Sequence, residues 1–469
     1  HMSYKFAIES AKVLATYGIK SYIFESLRPT PELSFAVRYL KCAGGIMITA
    51  SHNPKEHNGY KVYDDTGCQL LPEAADQVVQ YVNEVEDELN IKVFSDEEAY
   101  PYMTWIGEEV DEAYYKEVMA IEVNPGMDKS DFKIVFSPQH GTSNIAVRTC
   151  LTRLGYDLVP VLAQCAPDPD FSNTKSPNPE VPASYELAIK KAKEVDADVV
   201  VITDPDGDRL GVVAKHNGEY VLMSGNQSAA VYLEYILSQM KEKGTLPDNA
   251  VMYNTIVTSD LGELVARSYG VDVEKTLTGF KFIGDKIRKY EQTHEKTFVF
   301  GYEESYGCVI KDFVRDKDAV QAVLTAAEAG NFYKKQGKDL VDVLNELYAK
   351  HGTFKETQIA LSKAGAAGAA RIKEIMDNLR KDAPQEIGGV KVVKVEDYGN
   401  STCSDGTTIQ LPKSNVLKYY LEDGSWIAAR PSGTEPKCKF YFSIKGSDAD
   451  DAASKTEVFH KAMMEIIGE

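Results

Sequence analysis

Apolar side chains recur at helical spacing in the opening segment, SYKFAIESAKVLATYG. This pattern predicts a helix over residues 3–18, with Ser3 placed to cap its start and Gly18 its end. Two short apolar runs follow, at 20–24 and 45–48, and each predicts a strand. The chain therefore begins with alternating helix and strand.

The same alternation continues through the middle of the chain. From Lys133 onward, short apolar runs of strand type alternate with amphipathic stretches of helical type. The predicted strands are 133–136, 156–161, 197–203, 250–256, 271–277 and 297–301, and the predicted helices are 182–195, 259–269, 281–290 and one from about 317. Strands that alternate with helices indicate mixed or parallel α/β layers, and their recurrence suggests structural repeats.

After Gly352 the pattern changes. A stretch rich in small residues, KAGAAGAARIKEIMDNLR, predicts a helix, and a helix over 449–467 closes the chain. Between them lie predicted strands near 391–396, 415–421, 425–430 and 437–445. We expect a smaller α+β domain here.

Length and composition set broad limits. The chain has 469 residues, which at about 150 residues per domain suggests three or four domains. Its formal charge is −19, from 71 acidic and 52 basic residues, so the surface field repels nucleic acid and anionic membranes. An anionic substrate must therefore be held by a local cluster of cations and backbone amides.

The seven cysteines are scattered and odd in number, and none forms a CxxC pair. This usage favours reduced thiols in a cytoplasm over a disulfide framework or a zinc site. The apolar runs are far shorter than the roughly 18 residues of a membrane span, and no signal peptide is visible. We expect a cytoplasmic protein with a small-molecule partner and without a nucleic-acid or membrane partner.

The segment TDPDGDR, 203–209, follows an apolar strand. Its carboxylates Asp204, Asp206 and Asp208 recur at a spacing of two, so an extended backbone places all three on one side. Three such charges repel one another unless a divalent cation sits among them, and oxygen ligands favour Mg²⁺. An EF-hand is excluded because Lys215 stands where a glutamate is required. A plain turn remains an alternative, as does a phosphatase in which Asp204 carries the phosphoryl group and Asp206 acts as acid and base.

The segment TASHNP, 49–54, also follows an apolar strand. A serine beside a histidine suggests a hydrolase, but adjacent side chains on an extended loop point to opposite faces, so His52 is badly placed to activate Ser51. A tight turn before Pro54 is the simpler interpretation of this loop alone.

Three further loops carry binding chemistry. RPSGTEPK, 430–437, offers an arginine, two hydroxyls and a glycine that suit a phosphate dianion. GYEESYG, 301–307, places Glu303 and Ser305 where they could grip sugar hydroxyls, and TLTGFKFIG, 276–284, places Lys281 at a helix start. Each of the first two loops alone is equally consistent with an ordinary surface turn, and TLTGFKFIG alone is equally consistent with an ordinary capped helix.

The ordered set TASHNP, DPDGDR, GYEES and RPSGT resembles the α-D-phosphohexomutase family over essentially the whole chain, and the GYEESYG form is most like the family's bacterial phosphoglucomutase branch. The resemblance implies three related α/β domains and a smaller C-terminal α+β domain around a central cleft. With the patterns above, it suggests boundaries at 1–127, 128–244, 245–355 and 356–469. A Gly-Leu-Arg-Gly segment that the family carries is absent, so we expect the first domain to lack its N-terminal part.

The resemblance also implies residue roles. Ser51 matches the phosphorylated serine, and Asp204, Asp206 and Asp208 match the Mg²⁺ ligands, with a phosphoserine oxygen as a fourth. His52 and Lys61 fall near the phosphoserine and are candidate general bases. The residues implied to bind substrate are Arg209, Thr278, Gly279, Lys281, Glu303, Ser305, Arg430, Ser432, Gly433 and Thr434.

The implied reaction interconverts glucose 1-phosphate and glucose 6-phosphate through a phosphoserine and glucose 1,6-bisphosphate, which also serves as activator. Mannose and pentose phosphates remain alternative substrates, because Glu303 and Ser305 do not by themselves reject a C2 epimer.

Overall fold

The computed structural model describes residues 1–432 and 436–469. They form two compact units. Unit 1 comprises residues 1–254, 269–274 and 279–343, and unit 2 comprises residues 255–268, 275–278 and 344–469. No helix in the described part of the chain has the length and apolar character needed to cross a bilayer.

The helices follow the predicted alternation closely, and several more lie between them. They are α1 (Ser3–Thr16), α2 (Thr30–Tyr39), α3 (Pro72–Asn83), α4 (Asp96–Ala99), α5 (Glu108–Met119), α6 (Asn144–Arg153), α7 (Glu186–Val195), α8 (Gly225–Glu242), α9 (Asp260–Ser268), α10 (Phe280–Thr293), α11 (Ala319–Lys334), α12 (Leu340–His351), α13 (Gly365–Lys381) and α14 (Ala449–Ile467).

The strands are likewise short and numerous. They are β1 (Ser21–Phe24), β2 (Gly44–Ile48), β3 (Tyr60–Asp64), β4 (Met103–Ile106), β5 (Lys133–Ser137), β6 (Asp157–Pro160), β7 (Val199–Thr203), β8 (Leu210–His216), β9 (Glu219–Met223), β10 (Ala250–Thr255), β11 (Asp272–Thr276), β12 (Thr297–Tyr302), β13 (Cys308–Val309), β14 (Thr353–Ser362), β15 (Glu386–Ile387), β16 (Val390–Asp397), β17 (Thr402–Cys403), β18 (Leu417–Leu421), β19 (Trp426–Pro431) and β20 (Lys437–Gly446).

Two sheets repeat one strand order. The second sheet runs β6-β5-β7-β8-β9 and the third runs β11-β10-β12-β13. In the second sheet β5 lies parallel to both β6 and β7, and in the third β10 lies parallel to β12. An antiparallel strand, β8 or β13, follows on the same side. The sequence-predicted structural repeat is therefore present in these two sheets.

The first sheet region differs from the other two. β1 pairs in parallel with β4, and β2 pairs antiparallel with β3 as a separate two-stranded sheet. β2 still stands where β7 and β12 stand in the repeat, since it follows a helix and is succeeded by an antiparallel strand.

The site motifs share one position in these modules. TASHNP follows β2, the aspartate segment follows β7, and GYEES follows β12. β7 is buried along its whole length and β12 at its last four residues, whereas β2 buries only Ile48. Loops at the carboxyl ends of such strands are the usual place for ligand binding in α/β folds.

Unit 2 is built on a largely antiparallel sheet of order β14-β20-β19-β18-β16-β15, with β17 paired to β16. Helices α13 and α14 supply Ile375, Met376, Phe459 and Met463 to the apolar core on one face of this sheet. The mixed α/β class and the smaller α+β C-terminal part are thus confirmed. The sequence analysis missed β14, which pairs with β20 along ten residues at the sheet's edge.

Candidate functional site

The serine of the TASHNP loop has an unusual backbone. Ser51 adopts φ 55°, in the left-handed region, and its N–H donates to Thr49 Oγ1 at 2.8 Å. In this conformation Ser51 Oγ lies 3.1 Å from His52 Nδ1. The expectation that the two side chains point apart was wrong, because it assumed an extended loop, whereas a left-handed residue turns them to one side.

The aspartate segment lies directly against this serine. Ser51 Oγ donates to Asp204 Oδ2 at 2.9 Å, and Asp204 Oδ1 accepts from the N–H groups of Asp208 and Arg209 at 3.1 and 3.0 Å. Asp204, Asp206 and Asp208 are buried, and a carboxylate oxygen from each lies within 4.8 Å of the others. The structure therefore brings the two sharpest sequence motifs into one site within unit 1.

The three carboxylates fit a hard divalent cation. Asp206 Oδ1 and Asp208 Oδ1 are buried and have no hydrogen-bond partner among the described residues. Burial, together with the charges of Asp206 and Asp208, raises the pKa of Asp204 well above its usual range. Unpaired buried carboxylate oxygens of this kind are costly without a cation, and an all-oxygen donor set suits Mg²⁺.

Two lysines face the same carboxylates. Lys61 Nζ lies 3.0 Å from Asp206 Oδ2 and 3.5 Å from Asp208 Oδ2, and Lys317 Nζ lies 3.1 Å from Asp208 Oδ2. Burial opposes the charge of each ammonium group, yet the nearby aspartates raise both pKa values. Both lysines are therefore held in their charged form.

His52 has the opposite character. Burial, with a smaller contribution from the Arg209 charge, lowers the pKa of His52 to about 4. At neutral pH its imidazole is uncharged and lies within hydrogen-bond reach of the serine hydroxyl. Of the two base candidates predicted from the sequence, His52 and Lys61, only His52 is uncharged at neutral pH and therefore able to take a proton.

Arg209 is fixed behind the aspartates. Its Nη1 donates to Glu180 Oε1 at 2.7 Å, and its Nε lies 3.8 Å from Asp208 Oδ1. The guanidinium therefore adds fixed positive charge to the site, as a cleft residue would.

A glycine turn supports the aspartate segment from below. The N–H of Thr142 donates to the Pro205 carbonyl at 2.8 Å, and a Cβ on Gly141 would lie 2.5 Å from Pro205 Cα. Only glycine allows the 140–142 turn to approach the backbone of the aspartate segment this closely.

The sequence analysis missed several residues that line the site. Lys317 lies in the charged run VRDKD just before α11, where it was assigned only to the start of a helix. Thr30 and Thr49 both donate to Asp206 Oδ2, at 3.1 and 3.3 Å, and Glu180 holds Arg209. The signal in the sequence for Lys317 was the run of four charges at 315–318 between apolar residues, and the structure shows all four side chains to be buried.

The sugar-binding candidates lie around the start of α10 and in the loop after β12. Glu303 is buried, and its Oε1 accepts from the Gly279 N–H at 2.8 Å; Gly279 has φ 114°, which favours glycine. Lys281 stands in the first turn of α10, and Ser305 is half-buried in the loop after β12. Thr278, the last residue of its unit 2 segment, is half-buried.

The phosphate-binding candidates lie in unit 2. Arg430 is near the end of β19, with Nη1 3.4 Å from Tyr441 Oη, and the Ser432 N–H donates to the Lys437 carbonyl at 2.7 Å. This bond extends the pairing of β19 with β20 by one residue beyond Pro431. Gly433 and Thr434 lie outside the described residues.

Comparison with known proteins identifies the chain's relatives. Residues 1–89, 112–218, 224–351 and 369–461 match domains I, II, III and the C-terminal domain of phosphoglucomutase/phosphomannomutase. A phosphoglucomutase of Staphylococcus epidermidis is 39% identical over 463 residues, covering 97% of this chain and 83% of that protein. A phosphoglucomutase of Staphylococcus aureus is 39% identical over 462 residues, covering 97% and 82%.

Solved structures agree on the fold. The chain resembles the open form of parafusin, a Paramecium phosphoglucomutase, with a TM-score of 0.73 and 19% identity over 100% of this chain and 88% of that one. It also resembles a phosphoglucomutase/phosphomannomutase family protein of Burkholderia thailandensis, with a TM-score of 0.65 and 19% identity over 94% and 81%.

The fold and the site define an α/β enzyme that carries a serine against a buried aspartate cluster. The chain belongs to the phosphoglucomutase/phosphomannomutase family, that is, to the α-D-phosphohexomutases. It is a mutase of the isomerase class and acts in carbohydrate metabolism, and its family is metal-dependent.

Proposed function

We propose that this enzyme interconverts α-D-glucose 1-phosphate and glucose 6-phosphate through a phosphoserine at Ser51. The observation that carries the proposal is the 2.9 Å contact between Ser51 Oγ and Asp204 Oδ2, which puts a hydroxyl nucleophile at the edge of a cation-binding cluster. Glucose 1,6-bisphosphate is the intermediate and the activator. The phosphoglucomutases at about 39% identity support this choice of sugar.

The chain's own residues supply most of what phosphoryl transfer requires. Lys61, Lys317 and Arg209 hold fixed positive charge beside Ser51 and need not reorganise when negative charge develops on the transferring group. Mg²⁺ bound by Asp204, Asp206, Asp208 and an oxygen of phosphorylated Ser51 would neutralise charge on the transferring phosphoryl group.

Proton transfer to and from Ser51 is assigned to His52. When unphosphorylated Ser51 accepts a phosphoryl group, its hydroxyl proton must leave, and the neutral His52 Nδ1 is 3.1 Å away. Lys61 is the second candidate, but its raised pKa favours a role as a charged group over that of a base.

We propose that the remaining candidates hold the sugar phosphate. Glu303 and Ser305 would bind sugar hydroxyls, and the Arg430 turn would bind the phosphate that is not being transferred. The proposed substrate-binding residues are Arg209, Thr278, Gly279, Lys281, Glu303, Ser305, Arg430, Ser432, Gly433 and Thr434.

The proposed domain boundaries are 1–127, 128–244, 245–355 and 356–469. A cytoplasmic location, which we also propose, accords with the seven free cysteines.

An aspartyl-phosphate phosphatase is the distant alternative. Asp204 would then be the nucleophile, but Ser51 and two backbone N–H groups already donate to its two oxygens. A carboxylate so fully engaged is a weak nucleophile. The mutase proposal accounts for Ser51, whereas the phosphatase does not.

The deciding experiment combines mass spectrometry with a Ser51→Ala variant. After incubation with Mg²⁺ and glucose 1,6-bisphosphate, we expect phosphate on Ser51 and mutase activity reduced by at least about 10³-fold in the variant. Ser10→Ala, on α1, is the matched control and should retain activity. Release of free phosphate that survives Ser51→Ala would favour the phosphatase.

Substrate choice is tested separately. We expect kcat/KM for glucose 1-phosphate to exceed that for mannose 1-phosphate and ribose 1-phosphate. A preference for mannose 1-phosphate or ribose 1-phosphate would replace our assignment with a phosphomannomutase or phosphopentomutase of the same family.

A further inference from the structure

A lysine outside the motifs described above is completely buried in unit 2. Lys418 is the second residue of β18 and has no exposed surface. A lysine is almost never fully buried unless a partner compensates the loss of hydration. Its surroundings should therefore reveal what it does.

The ammonium group of Lys418 contacts a carbonyl and two aromatic rings. Nζ donates to the Ile256 carbonyl oxygen at 2.8 Å and lies 3.8 Å from the Trp426 ring centroid and 4.8 Å from that of Tyr420. A cation centred this closely over an indole is a favourable cation–π contact, and the hydrogen bond to the carbonyl is charge-assisted.

Acidic side chains act on Lys418 from further away. Asp260 accepts a hydrogen bond from Trp426 Nε1 at 3.1 Å, and Lys275 Nζ lies 3.5 Å from Asp260 and 3.0 Å from Glu263. Burial is the largest influence and lowers the pKa of Lys418 to about 7; Lys275 lowers it further, while Asp260, Glu396 and Glu263 oppose the shift.

Lys418 joins two parts of unit 2 that are remote in sequence. Ile256 and Asp260 belong to the segment 255–268 that leads into α9, whereas Lys418 and Trp426 belong to neighbouring strands of the C-terminal sheet. Two contacts, from Lys418 to Ile256 and from Trp426 to Asp260, therefore fasten this segment to one face of the sheet.

The same face leads to the proposed phosphate-binding arginine. Lys418 pairs across the ladder with Ala428, and side chains two residues apart on a strand share a face. Trp426, Ala428 and Arg430 on β19 therefore point to the side on which Lys418 meets Ile256. Arg430 is only two residues beyond the position that Lys418 faces.

We propose that Lys418 is a positioning residue for substrate phosphate binding: by tying the Ile256 carbonyl and the Trp426 ring together, it fixes the direction in which β19 presents Arg430. This inference rests on the proposed role of the Arg430 turn. It explains why a costly buried cation occupies a position where an apolar side chain would suffice for packing.

The test measures phosphate-ester binding and local order separately. In a Ser51→Ala background, calorimetry with α-D-glucose 1-phosphate compares Lys418→Met with Lys394→Met. Lys394 is a matched control, because its Nζ also lies over Tyr420, at 5.4 Å, but it is half-buried and pairs with Glu396. Hydrogen exchange of residues 256–260 and 430–432 is measured on the same proteins without ligand.

We expect Lys418→Met to weaken binding by about tenfold, which is the loss expected for one charge-assisted hydrogen bond, and to speed exchange in both segments. Lys394→Met should bind within twofold of the parent, and Lys418→Arg should restore part of the affinity. In the enzyme that retains Ser51, Lys418→Met should raise KM with little effect on kcat.

The outcomes that would contradict the positioning role differ from those that would contradict the proposed function. An Arg430→Gln variant is measured in the same way. If Arg430→Gln weakens binding of the ester but Lys418→Met does not, the positioning role is overturned. If neither the parent nor any variant binds the ester, the proposed function fails, and the exchange data alone decide the role of Lys418: unchanged exchange overturns it. If Lys418→Met does not fold, Lys418→Arg and Trp426→Phe carry the same comparison, and unchanged affinity in Trp426→Phe would count against the proposal.

Discussion

At the scale of single residues, backbone conformation decides which side chains can work together. Ser51 and His52 meet because Ser51 is left-handed, and a neighbouring hydroxyl, Thr49 Oγ1, accepts its N–H. The same hydroxyl oxygen also lies 2.9 Å from Asp204 Oδ2, so its single proton can be directed either to the imidazole or to the buried carboxylate.

The base assignment leads to a first prediction at this scale. Replacing His52 with glutamine keeps a polar side chain but removes the neutral ring nitrogen next to Ser51 Oγ. We expect kcat to fall by about 10² to 10⁴, the usual contribution of a general base, with Mg²⁺ dependence little changed. His57→Gln, on an exposed residue of the same loop, is the control. A kcat within a few-fold of the parent would transfer the role to another group.

Much of the site could be predicted from sequence at this scale. Asp204, Asp206 and Asp208 were recognised from their spacing of two, but the extended backbone assumed for them was wrong: the segment forms a turn, in which the Gly207 N–H donates to the Asp204 carbonyl at 3.1 Å. Lys317 and Thr30 were not recognised, because each reaches the aspartates from a position more than a hundred residues away in the sequence. Single-sequence patterns describe local geometry and carry no information about which distant loops meet.

At the scale of elements, glycine positions show how the loops are assembled. Replacing Gly141 with alanine would force a methyl group against the backbone of Pro205, at 2.5 Å, where neither side can yield cheaply. We expect the Mg²⁺ concentration for half-maximal activity to rise by about tenfold or more, because the aspartate segment must shift. Activity measured across a Mg²⁺ titration tests this.

Gly155→Ala is the control for that experiment. Gly155 has φ 86° and open space around it, so alanine strains the backbone without touching the aspartate segment. Its Mg²⁺ dependence should match the parent. Equal Mg²⁺ dependence in both variants would show that the 140–142 turn does not set the geometry of the aspartates.

The C-terminal sheet gives a prediction for pH. Lys418 has a pKa of about 7 in the folded chain, against an ordinary value of 10.5. Between these values the unfolded chain binds one more proton than the folded chain, so the contribution of Lys418 to stability rises with pH by up to about 1.4 kcal/mol per unit. The burial cost is greatest below pH 7.

Lys418→Met should remove that slope. We expect the melting temperature of the variant, relative to the parent, to be higher at pH 6.5 than at pH 9, as measured by calorimetry in matched buffers. For Lys394→Met, the difference in melting temperature from the parent should be the same at both pH values, because Lys394 is half-exposed. A pH-independent difference for Lys418→Met would show that Lys418 keeps an ordinary pKa in the folded chain.

Elements were predicted well where apolar periodicity was strong and poorly elsewhere. β7 and β10 are buried along their whole length and were found within one or two residues. β14, TFKETQIALS, was missed because an edge strand keeps polar residues on its solvent side and has weak alternation. Its partner β20 lies between β14 and β19, is largely buried, and was predicted near 437–445.

At the scale of the whole molecule, unit 2 is discontinuous in sequence. Besides residues 344–469, it contains 255–268 and 275–278, and the contacts of Lys418 and Trp426 go to these upstream pieces. The predicted boundary at residue 355 divides the chain by position in the sequence, and no local pattern in the sequence indicates that 255–268 and 275–278 pack with residues beyond it.

This discontinuity predicts the behaviour of fragments. Residues 344–469 alone would expose Lys418 and Trp426, so we expect red-shifted tryptophan fluorescence and no cooperative unfolding. Joining residues 255–278 to that fragment through a flexible linker should restore both properties, and Trp426 is the only tryptophan either fragment contains. Cooperative unfolding of 344–469 alone would contradict this view of the unit.

Because unit 2 is assembled from segments that are far apart in the sequence, its parts are synthesised at different times. Helix α9 buries Leu261 and Val265 in the finished protein, and its first residue, Asp260, bonds to a tryptophan 166 residues later. At roughly 5 to 20 residues per second, a ribosome needs on the order of 10 to 30 s to produce that tryptophan. During that interval the segment 255–268 lacks the contacts that Lys418 and Trp426 make with it in unit 2, so we expect its amide hydrogens to gain protection only after the C-terminal sheet has been synthesised.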